Sequence, residues 1–270
     1  MIAEALDSVS LTSHDLVSVG VANQRETIVA WNRHTGQPYG NATVWQDTRS
    51  AAICDELTAG EGIDRFRSVT GLPAATYFSG PKATWMLRNV KGLADATRRG
   101  KAILGTIDSW IGWNLAGGPA GGAHVTDVTN ASRTLLMDLS TLTWSAALLD
   151  LMEIDRSMMA ESVPSIGRFA IGEGVLTQVP ISCVLGDQHA ALFGQTCFDE
   201  GEAKNTYGTG CFMLMNTSGV PVPSVSGLLT TVGYQLKGEP AVYALGGVDR
   251  HCWCPRAVVE GQPRDHCGFV

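Results

Sequence analysis

The chain has 270 residues, of which 44% are hydrophobic, and a mean hydropathy of +0.07. This length can bury one sizeable core and part of a second. The formal net charge of −7 and the lack of a dense Lys/Arg cluster argue against a nucleic-acid-binding surface. No basic leader or bilayer-length apolar segment occurs, which predicts a cytoplasmic protein without a membrane partner. The cysteines are not spaced as a disulfide framework, so reduced thiols are expected.

The first fifty residues predict a short helix followed by strands. Apolar residues at helical spacing indicate a helix within 1–10. Alternation over 17–22 and a β-rich run over 27–31 predict two neighbouring strands. Turn residues at 32–36 precede a third β-type run at 42–45, which predicts a hairpin-rich antiparallel unit.

Helices are predicted to dominate the middle of the chain. Three segments carry apolar residues at three- and four-residue spacings: 48–57, 81–89 and 107–115. A buried strand is predicted at 181–185, and a helix at 188–193. The break after that helix places a domain boundary near residue 198.

Asp187 is the first candidate for chemistry. It follows the predicted buried strand and a glycine, where α/β proteins place ligand-binding groups. A carboxylate at this point is suited to orient a hydroxyl group and accept its proton. The alternative is that Asp187 only caps the helix that follows.

The segment 205–210 combines glycines with hydroxyl side chains, so its amides could converge on a phosphate or form a plain hairpin turn. Cysteines and histidines between residues 251 and 267 do not have the spacing of a structural zinc site. We therefore predict no protein-bound metal.

Three further features near the predicted strands leave two interpretations open. Arg25 and Glu26 are adjacent opposite charges, and an extended segment should point them to opposite faces. They either contact a polyol or form a solvated surface pair. Trp45 and Tyr77 are either ligand platforms or core aromatics.

Taken together, six ordered runs resemble glycerol kinases of the FGGY carbohydrate kinase family, and the resemblance extends from residue 1 to about residue 246. The runs Asn-Gln-Arg-Glu-Thr and Tyr-Phe-Ser-Gly point to this group more than to its sugar-kinase relatives. The matching runs are 20–27, 43–47, 76–80, 127–134, 186–195 and 204–214.

The resemblance implies ATP-dependent phosphorylation of glycerol, with Asp187 as the general base. Trp45 and Phe212 would wall the carbon face of the substrate, and Thr209 between Gly208 and Gly210 would meet the nucleotide phosphates. Mg²⁺ would bind together with the nucleotide. The resemblance also leaves open a homo-oligomer of the kind found in the family. The implied substrate-binding side chains are Arg25, Glu26, Trp45, Tyr77, Gln188 and Phe212, together with Asp187.

The resemblance also implies an α/β fold of the ribonuclease H-like type found in the actin and hexokinase superfamily. Residues 1–198 would form most of the first domain without its first phosphate-binding hairpin, 199–246 would begin the second, and 247–270 would be a divergent, frameshifted tail. Impaired activity is the expectation for such a chain. The alternatives are a non-catalytic remnant and a kinase for another sugar or polyol. His189 stands where the family commonly has a second Gln.

Overall fold

The computed structural model describes residues 1–207 and 211–249, and side chains up to residue 247. Its architecture is mixed α/β. The helices are α1 Ile2–Ser8, α2 Ala51–Thr58, α3 Arg67–Thr70, α4 Ser79–Asn89, α5 Leu93–Arg98, α6 Ile107–Leu115, α7 Val128–Ala131, α8 Ala146–Leu151 and α9 Asp187–Gly194. The strands are β1 Val19–Asn23, β2 Ile28–Asn32, β3 Ala102–Thr106, β4 Val125–Asp127, β5 Met137–Asp138, β6 Thr143–Trp144, β7 Glu161–Val163, β8 Ile166–Ile171, β9 Pro180–Gly186, β10 Ala203–Tyr207, β11 Cys211–Ser218, β12 Leu229–Tyr234 and β13 Val242–Asp249.

Most predicted elements are confirmed. The helical periodicity at 48–57, 81–89 and 107–115 corresponds to α2, α4 and α6, and the predicted strand and helix around Asp187 are β9 and α9. None of the helices in the described part of the chain is long and apolar enough to cross a membrane. Among the described cysteines, Cys54, Cys183 and Cys197 are free.

The prediction that β1 and β2 are neighbours is wrong. β1 pairs in parallel with β9, whereas β2 pairs antiparallel with β3. Between them the chain turns sharply, because Glu26 has φ +65° and the Thr27 amide donates to the Arg25 carbonyl at 2.8 Å. The hairpin predicted about the turn at 32–36 is present as two antiparallel bridges, between Ile28 and Thr43 and between Trp31 and Pro38, rather than as a full strand pair.

Two larger sheets frame the candidate site. In the first, β9 lies between β1 and β8, and β8 runs antiparallel to it. The second is antiparallel, with the order β10, β11, β13, β12. Leu229, Val232 and Tyr243 of the second sheet join the apolar core built by residues 28–158.

The domain boundary near residue 198 stays a prediction, as does the divergent tail, of which residues 250–270 lie outside the described residues.

A buried polar network ties together the ends of β1 and β9. The Asn23 and Asn130 side-chain amides donate to each other at 3.0 and 3.1 Å. Asp127 caps α7 by accepting from the amides of Thr129 and Asn130, and Thr129 Oγ1 accepts from the Gly186 amide at 2.9 Å. Because these donors and acceptors satisfy one another, the residues before Arg25 and before Asp187 have fixed positions.

Candidate functional site

The site begins where two parallel strands end side by side. Asn23 of β1 is the register partner of Gly186 of β9. Arg25 lies two residues beyond the first strand end and Asp187 directly beyond the second. Arg25 Nε lies 3.3 Å from Asp187 Oδ1, which is an ion-pair distance although no aligned hydrogen bond forms. The structure therefore brings these two predicted residues together.

Asp187 is not the cap of the helix that it begins. The N-cap of α9 is Gly186, and Asp187 is the first helical residue. Its Oδ1 accepts from the Gln188 amide at 2.8 Å, and the Gln188 side-chain Nε2 lies 3.5 Å from Oδ2. The Asp187 side chain is 45% exposed, so its carboxylate remains accessible from the cavity.

Arg25 and Glu26 are not a solvated surface pair, and their side chains do not point to opposite faces. They are 5% and 1% exposed, and Arg25 Nε lies 4.0 Å from Glu26 Oε2. The expectation of opposite faces is wrong because it assumed extended backbone, whereas Glu26 adopts the left-handed conformation. That conformation turns both charges into the same region.

Arg133 is a member of the site that the sequence did not identify. Its Nε donates to Glu26 Oε1 at 2.7 Å, and both side chains are 2% exposed. The Arg133 guanidinium also lies 5.7 Å from the Tyr77 ring centre and 5.2 Å from that of Phe78. The only signal in the sequence was the position of Arg133 inside the matching run 127–134.

Lys82 is a second cation that sequence reasoning missed. It is fully buried in α4, and its Nζ donates to the carbonyls of Glu26, at 3.3 Å, and of Tyr77. Ser79 Oγ donates to the same Glu26 carbonyl at 3.1 Å. Burial lowers the pKa of Lys82 to about 8, against the opposing effect of the Glu26 carboxylate. The two backbone segments that carry Glu26 and Tyr77 are thereby tied to one helix.

Aromatic rings form the apolar wall. The ring centres of Trp45 and Tyr77 are 5.6 Å apart, and those of Trp45 and Phe212 are 6.5 Å apart, both edge to face. The Trp45 amide donates to Thr27 Oγ1 at 3.1 Å, which anchors the loop that carries this ring. Tyr77 is 7% exposed and belongs to the core as well as to the wall.

These side chains enclose one open cavity of about 100 Å³. Pockets for drug-sized ligands measure roughly 300–1,000 Å³, so this cavity is suited to a smaller molecule. All the predicted substrate-binding side chains line it, and Gln24 is an addition that the sequence did not predict. The lining residues are Gln24, Arg25, Glu26, Trp45, Tyr77, Asp187, Gln188 and Phe212.

The charged groups around the cavity shift the pKa values of their neighbours. Burial acts to lower the pKa of Arg25, but Glu26, Tyr77 and Asp187 outweigh it and raise that pKa above its ordinary value. Burial, with a contribution from Glu26, raises the pKa of Tyr77. At neutral pH the cavity therefore presents a guanidinium and a neutral phenol beside carboxylates, a set of donors and acceptors suited to hydroxyl groups.

The predicted nucleotide-binding residues Gly208, Thr209 and Gly210 lie outside the described residues, as does the Cys- and His-containing segment 251–267. Within 1–207 and 211–249, no group of three or more His, Cys, Asp or Glu side chains is placed to hold a metal ion.

Comparison with known proteins places this geometry in a family. The sequence model for the N-terminal domain of the FGGY family of carbohydrate kinases matches residues 1–194. A glycerol kinase of Chloroflexus aurantiacus is 57% identical over 92% of this chain and 50% of its own length. Glycerol kinase 2 of Streptomyces avermitilis is 53% identical over 92% of this chain and 49% of its own.

Solved structures agree with the sequence comparison. A Plasmodium falciparum glycerol kinase with ADP has a TM-score of 0.85 at 36% identity, covering 92% of this chain and 50% of its own. A gluconate kinase from Lactobacillus acidophilus has a TM-score of 0.77 at 18% identity, covering 93% of this chain and 49% of its own, which supports the fold alone. The predicted actin and hexokinase type of fold is confirmed. The chain spans about half the length of the curated relatives it matches, and it belongs to the FGGY family of carbohydrate kinases.

Proposed function

We propose that this chain binds glycerol and carries the general base of an ATP-dependent kinase that forms glycerol 3-phosphate. One observation carries the proposal: charged, amide and aromatic side chains from separate parts of the sequence line a single cavity of about 100 Å³. A triol needs oriented polar partners on one side and a close apolar wall on the other. Relatives named as glycerol kinases, up to 57% identical, add support.

Each part of the cavity has a role in this proposal. Arg25, Glu26 and Tyr77 bind the hydroxyl groups of glycerol, with Gln188 beside them. The rings of Trp45 and Phe212 exclude water from the carbon chain. Because a site built to bond hydroxyls leaves buried polar groups unpaired when a hydroxyl is missing, this arrangement favours a full triol over a less hydroxylated ligand.

Asp187 acts on the hydroxyl that is phosphorylated. The hydroxyl oxygen attacks the γ-phosphorus of ATP, the bond from that phosphorus to the oxygen shared with ADP breaks, and the hydroxyl proton passes to the Asp187 carboxylate. The half-exposed carboxylate, beside a buried guanidinium at 3.3 Å, is placed to accept this proton from the cavity.

The nucleotide is proposed to bind at the segment Gly208-Thr209-Gly210, and Mg²⁺ to arrive with the nucleotide phosphates. A divalent ion there would offset the charge of the transferred phosphoryl group. The cytoplasmic location and a homo-oligomeric state remain predictions from the sequence.

Calorimetry and a coupled assay of ADP release test the proposal on the 270-residue chain. Glycerol should bind to the wild type, and xylulose and gluconate should bind more weakly. With glycerol and Mg-ATP, ADP release by the wild type is expected to be slow, and in Asp187→Asn it should fall by a further 10²- to 10⁴-fold, roughly, while glycerol affinity changes far less. Asp150→Asn, on an exposed position of α8, is the matched control and should behave as the wild type.

The outcomes separate the alternatives. Absence of glycerol binding would refute the proposal. Glycerol binding without ADP release would favour the non-catalytic alternative, and tighter binding of a pentulose or hexonate would favour a kinase for another sugar. Normal turnover in Asp187→Asn would assign the base to another residue.

A further inference from the structure

Lys204, in β10, is a buried cation behind the cavity wall. It is 2% exposed and does not line the cavity. Its Nζ donates to Gln188 Oε1, to Thr206 Oγ1 at 3.0 Å and to the Phe212 carbonyl at 3.0 Å. Two of these three acceptors, Gln188 and Phe212, belong to residues that do line the cavity.

The surroundings of this ammonium group are unusual for a buried charge. Buried lysines are ordinarily paired with a carboxylate. Among the side chains that the structure describes, in 1–207 and 211–247, no carboxylate lies within ion-pair distance of Lys204. All three of its donors instead meet neutral oxygens, and burial lowers its pKa to about 8, with Arg25 lowering it further and Asp187 opposing the shift.

The contact with Lys204 decides which way the Gln188 amide faces. An ammonium group has donors only, so Gln188 must present its carbonyl oxygen to Lys204. Its Nε2 is then directed toward Asp187 Oδ2, 3.5 Å away, while the Gln188 backbone amide donates to Asp187 Oδ1 at 2.8 Å. Rotating the amide by half a turn would place a donor against Lys204 and an acceptor against the carboxylate, both unfavourable.

We propose that Lys204 is a positioning residue of the glycerol site: it fixes the amide of Gln188 toward Asp187 and anchors the backbone of Phe212, which carries one ring of the apolar wall. Lys204 thereby links α9 to β11 and sets the spacing between the polar side of the cavity and its aromatic side. The inference rests on the proposed function, because glycerol is the ligand whose contacts this spacing controls.

A double-mutant cycle on glycerol affinity tests the proposal. Lys204→Met keeps the length of the side chain and removes the donors, and it should weaken glycerol binding roughly tenfold or more. Gln188→Leu should weaken it similarly, and the double variant should be little worse than either single one, because both remove the same link. Fully additive losses would overturn the proposal, and so would wild-type affinity in Lys204→Met.

Two control variants separate positioning from general stability. Thr206→Val removes one acceptor of Lys204 without touching a residue of the cavity, and it should keep glycerol affinity within about twofold even if the thermal midpoint falls. Lys237→Met removes a lysine that is exposed, and it should change neither quantity. Equal losses of affinity in Thr206→Val and Lys204→Met would reduce Lys204 to a structural role and refute the proposal.

Gln188→Glu tests the amide orientation without altering Lys204. The new carboxylate keeps the contact with Lys204 but cannot donate to Asp187, so glycerol binding should weaken as much as in Gln188→Leu. Wild-type affinity would overturn the proposal. If Lys204→Met fails to fold, Gln188→Glu still tests the proposal. Its carboxylate pairs with the buried ammonium of Lys204, so this variant should fold.

A spectroscopic measurement separates this inference from the proposed function. The side-chain amide NMR resonances of Gln188, identified by their loss in Gln188→Leu, should shift in Lys204→Met and stay unchanged in Lys237→Met. If the wild type binds no glycerol, the proposed function fails, yet these resonances still show whether Lys204 holds the amide. Unchanged resonances in Lys204→Met would refute the positioning role whatever the ligand.

Discussion

Replacing Arg133 by Met should be among the most destabilising single changes at the site. Arg133 Nε lies 2.7 Å from Glu26 Oε1, and both side chains are 2% exposed. The variant leaves the Glu26 carboxylate buried, and among the described side chains Arg25, with Nε at 4.0 Å, is then its one partner within ion-pair distance. Breaking a buried pair by removing one partner costs about 3–5 kcal/mol, because an uncompensated charge remains away from water. Contacts of the guanidinium with the rings of Tyr77 and Phe78 are lost as well.

Urea and thermal denaturation measure this cost. A loss of about 4 kcal/mol in a chain of this size should lower the melting temperature by roughly 10 °C. The matched control is Arg88→Met, since Arg88 bonds two carboxylates, of Glu56 at 2.8 Å and of Glu153 at 3.0 Å. Arg88 is 38% exposed and its partners are more so, and such surface pairs contribute about 0–1 kcal/mol.

The double variant Arg133→Met with Glu26→Gln separates the charge from the packing. Removing the orphaned carboxylate should restore a large part of the lost stability, since the remaining defect is a loss of contacts. Two results would contradict this reasoning. One is that Arg133→Met lowers the free energy of unfolding no more than Arg88→Met does. The other is that adding Glu26→Gln to Arg133→Met lowers it further instead of raising it.

Two further predictions concern the backbone beside Asp187 and the buried acid of α6. In Gly186→Ala the new Cβ would lie 2.6 Å from Arg25 Cδ and 2.9 Å from His189 Nδ1, so calorimetry should show weaker glycerol binding. Gly194→Ala is the control, because its Cβ would meet open space, and it should bind glycerol as the wild type does. Burial raises the pKa of Asp108 from 3.8 to about 7, so the folded state retains a proton that the unfolded chain has lost. Between about pH 4 and pH 7 the free energy of unfolding should therefore fall with rising pH, by up to about 1.4 kcal/mol per pH unit more than in Asp108→Asn. Urea titrations at several pH values measure this, and the same pH dependence in both proteins would contradict the prediction.

Local pattern was sufficient to predict α1, α2, α4, α6, α9 and the position of Asp187, but not the short helices α3, α5, α7 and α8. Three- and four-residue periodicity locates α2 and α6 because each buries one face, and it also locates α4, although residues 79–84 of that helix are buried on every side. The strand followed by Gly186 locates Asp187 at a sheet edge. The cavity-lining residues came from the resemblance, since composition alone could not separate a ligand-binding Tyr77 from a core aromatic.

The partners of those residues could not be predicted locally. Glu26 and Arg133 are 107 positions apart, so no short-range pattern reports their contact. Lys82 is buried among residues 79–84 at the start of α4, and its acceptor on Glu26 is 56 positions away in the sequence. The strand-pairing prediction failed for a related reason, because alternation identifies a strand but not its partner. The chain turns at Glu26, where φ is positive, and β2 pairs with β3 instead of with β1.

Three of the residues that sequence reasoning missed, Lys82, Arg133 and Lys204, have one physical property in common: they are buried cations that donate to the backbone or to acceptors of the site rather than to a ligand. Lys82 joins the carbonyls of Glu26 and Tyr77, and Lys204 holds the carbonyl of Phe212. Hydrogen bonds are directional, so these contacts fix the spacing of the cavity walls more tightly than apolar packing alone. A change in a lining side chain alters the contact with one part of the ligand. A change in one of these cations alters the spacing itself, so it should weaken binding of every ligand that spans both walls, whatever its pattern of hydroxyl groups.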